Sequence, residues 1–197
     1  MNRKNIDEKK SLKTQLRRTK KKELIQYGWI VKITFLAFCI SLIFSTTSEL
    51  LIPNVNIVIG IILVILFIVI GILFDMIGVA VTSADEKPFH SMNSRRVKGS
   101  DIAVLFKKNA DKVSSFCNDV VGDICGIVSG AAGSIIAISI AKNLHIDTFL
   151  ITLLVTACIA SLTIGGKAMG KSIAINKSNV ILYKFSKFVS YFYKLKK

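Results

Sequence analysis

Residues 118–141 read NDVVGDICGIVSGAAGSIIAISIA. On a helix this stretch stacks Gly122, Gly126, Gly130 and Ser134 at i, i+4 spacing, with Ser129, Gly133 and Ala137 as a second row of small residues beside them. In water such a density of glycine weakens a helix. In a bilayer it lets neighbouring backbones approach closely, so the stretch predicts the central membrane helix of a polytopic protein. Asp119 and Asp123 lie one turn apart at its mouth, where acids are candidates either for ion handling or for pairing with lysines.

The rest of the chain supports a membrane setting. Of 197 residues, 52% are apolar and the mean hydropathy is +0.56, too high for a soluble domain with an ordinary polar surface. The net charge is +15. In a soluble protein that would point to nucleic acid, but here the lysines and arginines flank apolar runs, so their first role is topology and attraction to anionic headgroups. No nucleic-acid partner is expected. The four cysteines, Cys39, Cys117, Cys125 and Cys158, form no CxxC pair or Cys/His ligand pattern, and read as small buried hydrophobes. His90 and His145 are isolated. No nucleophile, acid–base constellation or phosphate loop stands out, so no enzyme is expected.

Outward from the central helix, the predicted spans are residues 28–46, 57–81, 118–141 and 148–164 within a transmembrane domain covering 27–176. Residues 1–26 carry ten basic side chains against three acids and read as a cytosolic arm, with the first span a retained signal anchor. Asp75 interrupts the second span about 27 Å from Ile57 by helical rise, which reads as a carboxylate near the inner interface that needs no partner. Two short cytosolic helices are predicted within residues 89–115, divided at Gly99. From Gly165 onward there are eight lysines and no acid, and residues 177–197 interleave aromatics with lysines as an interfacial helix would. The fold class is therefore an all-α membrane protein with four transmembrane helices, a cytosolic juxtamembrane helical pair and a C-terminal interfacial amphipathic helix. The composition fits a bacterial cell membrane, with both termini in the cytosol.

Three short motifs carry a family resemblance. SADEKPFHSMNSRRV, through Ser83, Glu86, Ser91, Asn93 and Arg95, resembles the Ser-x-Ser-Glu-Thr-Ala and Ser-Leu-Asn segment of the transmembrane domain of CorB/CorC and cyclin M magnesium transporters. Cys117-Asn118-Asp119-Val120-Val121 is similar to that family's Gly-Asn-Asn-Leu-Val, and Gly166-Lys167-Ala168-Met169-Gly170-Lys171 lies where the family has Gly-Glu-x-x-Pro-Lys. The resemblance implies a dimeric fold of three membrane helices and a juxtamembrane pair, with Mg2+ held by oxygen ligands. It implicates Ser83 and Asn118. Asp119, Asp123 and Ser129 complete a set of oxygens suited to a hard cation that dehydrates reluctantly. Lys167 stands where the family has its glutamate, and Gly170 where it has proline.

Two functions follow as expectations. In the first, the protein is a divalent-cation transporter or serves ion homeostasis, as a homodimer packed through the small-residue rows. In the second, it is a non-transporting scaffold or partner subunit in which Asp119 and Asp123 pair with Lys167 and Lys171 across two helices.

Overall fold

A computed structural model describes residues 28–50 and 56–192. The predicted basic arm and the extreme C-terminal residues lie outside the described residues. Among the described residues, four helical runs are long and apolar enough to cross a membrane: α1 (Gly28–Leu50), α2 (Ile57–Ser83), the run Ala110–Leu144, and α7 (Thr148–Asn176). The third run is composite. It begins as α5 (Ala110–Ser115), passes through a π-helical segment (Phe116–Gly122) and continues as α6 (Asp123–Leu144). Two shorter helices, α3 (Glu86–Ser94) and α4 (Ser100–Lys108), separate α2 from α5, and α8 (Ser178–Phe192) follows α7 after Lys177. The chain divides within α1, after Cys39, and the second compact unit begins at Ile40.

Local chemistry fixes the helix ends. Asn56 starts α2 by accepting the Val58 N–H at 3.2 Å, and Asp147 starts α7 by accepting that of Phe149 at 3.1 Å, each satisfying a donor that the first turn leaves orphaned. His145, at φ 55°, closes α6 in the left-handed conformation, and the tight link to Asp147 turns the chain back. Gly99 precedes α4 at φ 85° and abuts the backbone of Lys187, so both its dihedral and its neighbour require the missing Cβ.

α2 is the hub, packed against α5, the π segment, α6, α7 and α8. Its buried stripe is Gly60, Val64, Ile68, Gly71, Asp75 and Gly78, recurring every three to four residues as one helical face. Two apolar cores lie along it. Val64 and Ile68 pack with Ala132 and Ile136 of α6 in the hydrophobic section. Beyond Asp75, Val81 and Ala84 pack with Phe89, Ala103 and Leu182, which joins α3, α4 and α8 to the end of α2. At that polar end Phe89 and Leu182 are 1% and 0% exposed, and burial of each contributes about 2 kcal/mol where water is the alternative.

Several boundaries differ from the sequence reading. α7 runs twelve residues beyond the predicted end at 164 and so carries Lys167 and Lys171 on a continuous helix. The second of the predicted cytosolic helices divides at Asn109, and its later part leads without a break into the third span. α8 is docked as well as amphipathic: Ser178, Leu182 and Ser186 are buried, and Phe185 stacks on Phe106 at 5.6 Å between centroids.

Lys107 of α4 donates to the carbonyls of Val81 at 3.2 Å and Thr82 at 2.8 Å, two of the acceptors that the end of α2 leaves open and the end where a cation is favoured. Replacing Lys107 by Met should lower stability by about 1–2 kcal/mol, and Lys107→Arg should retain most of it, as read by thermal unfolding in detergent.

Candidate functional site

The polar centre is assembled where four glycines let neighbouring helices approach closely. Gly166 and Gly170, one turn apart on α7, lie against Ile72 and Met76 of α2, where an added Cβ would collide with either side chain. This brings the next residues on α7, Lys167 and Lys171, up to Asp75. On the other side Gly71 abuts Cys125, with the Gly122 carbonyl close by, and Gly78 abuts the side-chain amide of Asn118.

At the junction, Lys167 Nζ lies 4.0 Å from Asp75 Oδ1 and 3.5 Å from Asp123 Oδ1, while Lys171 Nζ lies 3.7 Å from Asp75 Oδ2. Two carboxylates and two ammonium groups on three helices thus neutralise one another. The separations are those of charge contacts and exceed ordinary hydrogen-bond lengths. Asp75 is only 4% exposed, and its Oδ2 accepts no hydrogen bond among the described residues. An ionised acid in such surroundings is tolerated because cations stand beside it. Lys167 is the inner cation, one-fifth exposed, whereas Lys171 and Asp123 are more than half exposed and can be solvated at the rim.

Asp75 therefore differs from the plain interfacial acid that the sequence reading expected: it is buried and paired with two lysines. The signal was present in the chain, since Gly71 and Gly78 flank it on the same helical face and mark that face as the one other helices approach.

The predicted site residues scatter around this junction. Asp123 reaches Lys167. Asp119 is exposed and makes no ion pair among the described residues. It lies in the π segment, whereas Asp123 opens α6. Ser83 is exposed at the end of α2. Ser129 is fully buried, with its hydroxyl donated to the Gly126 carbonyl at 3.0 Å within its own helix. Asn118 donates to Ser114 Oγ at 3.4 Å, and its buried Oδ1 has no hydrogen-bond donor among the described residues. No group of three or more His, Cys, Asp or Glu is placed to hold a metal among the described residues.

Of the two small-residue rows, the one containing Ser129, Gly133 and Ala137 is buried, with Gly133 against Ile159 of α7. In the other row Gly122 is buried near Lys167, Gly126 and Gly130 have open space where a Cβ would stand, and Ser134 bonds back to Gly130 within the helix.

Comparison with protein-family models, curated proteins and solved structures finds no match to this chain.

The two kinds of glycine give a paired test. A methyl group at Gly78 would strike the Asn118 amide, so Gly78→Ala should destabilise by about 1–3 kcal/mol. Gly126→Ala meets open space and should leave stability unchanged or raise it by up to about 1 kcal/mol, both read by thermal unfolding in the same detergent.

Proposed function

We propose that this chain is a multi-pass membrane scaffold or partner subunit, oriented with α3, α4, α8 and the basic turn between α3 and α4 toward the cytosol, in which a tethered ammonium fills the position a mobile cation would otherwise take. The observation that carries this reading is Lys167 Nζ within 4.0 Å of acids on two other helices. A fixed positive charge there repels a divalent ion by several kcal/mol at about 4 Å, even at an effective dielectric of 20. The basic flanks favour the cytosolic side by the positive-inside rule. The likeness of its motifs to magnesium transporters is then one of helix arrangement, with the ion position converted into an interhelical lock.

Divalent-cation transport, Mg2+ in the first instance, is the second reading. It is favoured by the buried, undonated Oδ1 of Asn118 inside a π-helical segment, because such segments recur at functional sites. Asp123, whose side chain is more than half exposed, would supply charge in that case. The small-residue face of α6 would then form a homodimer, as the resemblance implies.

Reconstitution separates the two. Liposomes containing the full chain, loaded with a magnesium-sensitive dye and given an inward Mg2+ gradient, should fill no faster than protein-free liposomes. Uptake that depends on protein, and that Asn118→Ala and Asp123→Asn each abolish, would overturn the scaffold reading in favour of transport.

A further inference from the structure

α8 is two-faced in a way its docking alone does not explain. Ser178, Leu182 and Ser186 recur at i, i+4 and i+8 on the face set against α2 and α4. Val180, Lys184, Lys187 and Tyr191 recur at i, i+4, i+7 and i+11 on the opposite face, and all four are exposed. Phe188 is 61% exposed beside them and Tyr191 is 67% exposed. Lys98, from the turn before α4, lies 3.7 Å over the Tyr191 ring, which extends the basic surface onto a second element. None of Lys98, Lys184 and Lys187 pairs with a carboxylate among the described residues, and α8 carries no acid.

Exposed aromatic rings and unpaired ammonium groups on one face suit neither bulk water nor hydrocarbon. They suit the headgroup layer, where rings settle at the boundary and lysine stems extend so that the ammonium meets phosphate. Lys177 alone separates α8 from α7, so the span itself holds this surface near the membrane plane. We propose that the exposed stripe of α8, together with Lys98, is a binding site for anionic phospholipid headgroups. Attraction to an anionic surface contributes roughly fivefold in affinity per lysine, so Lys184 and Lys187 together should matter clearly. The inference is independent of whether the α2–α7 junction conducts ions.

The test is native mass spectrometry of the detergent-solubilised full chain with short-chain phosphatidylglycerol or phosphatidylcholine, which share their tails and differ in headgroup charge. The wild-type protein should bind phosphatidylglycerol about tenfold more tightly than phosphatidylcholine or better, and Lys184→Gln/Lys187→Gln should lose most of that preference. Lys98→Gln, on a separate element, should lose a smaller part and serves if the double variant does not fold. Equal binding of the two lipids, or an unchanged preference in a folded variant, would overturn the proposal. So would displacement of phosphatidylglycerol by equimolar glycerol phosphate, which would make the site one for a soluble phosphate. Tight, lysine-dependent binding of a single-stranded oligonucleotide with no preference for the anionic lipid would also overturn it, and would assign the surface to nucleic acid.

Discussion

A carboxylate set among helices is the constraint on which the arrangement of this molecule depends. Asp75 lies on the contact face of α2, almost fully buried, where an uncompensated charge would be intolerable. Compensation requires cations from a neighbouring helix at close range, and close range requires small residues at the crossing. Gly166 and Gly170 provide it on α7, and Lys167 and Lys171 follow each of them in sequence. Gly71 and Gly122 bring the α6 side in, which places Asp123 within 3.5 Å of Lys167. Charge balance and backbone approach are in this sense one design feature, since neither helix could come near without the glycines and neither would gain from it without the charges.

Two regimes of packing meet on α2. Along the hydrophobic section, apolar side chains gain nothing from leaving lipid, and shape complementarity through small residues holds α2, α6 and α7 together. At the polar end, burial against water works in the usual way, and Phe89, Ala103 and Leu182 form a small core around the last turn of α2. Lys107 ties the two regions by capping that turn. The acid and lysine junction lies between the two cores, at the point on α2 where one kind of stabilisation gives way to the other.

The four spans were legible because apolar length is a strong signal, and of the small-residue rows of α6 the one with Ser129, Gly133 and Ala137 is the one buried. The partner of each charge was less legible. α2 is so uniformly apolar that its buried face shows only as the phase of Gly60, Gly71 and Gly78, and Asp75 falls in that phase. The far end of α7 was hidden for a related reason. The span was bounded by its apolar run, which ends at Ile164, whereas the helix continues through the two lysines, which answer Asp75. Asp119 shows the opposite outcome: its place beside Asp123 in the sequence suggested a lysine partner, and it is exposed with no ion pair among the described residues.

Asp75 and Lys167 are two halves of one neutral unit. If both are replaced, Lys171 and Asp123 remain at the rim, each more than half exposed and able to be solvated. A double-mutant cycle on thermal unfolding tests this most directly. Asp75→Asn and Lys167→Gln alone should each destabilise by about 3 kcal/mol, and the protein carrying both should recover most of that loss. Losses that simply add in the double variant would contradict the pairing and the reading built on it.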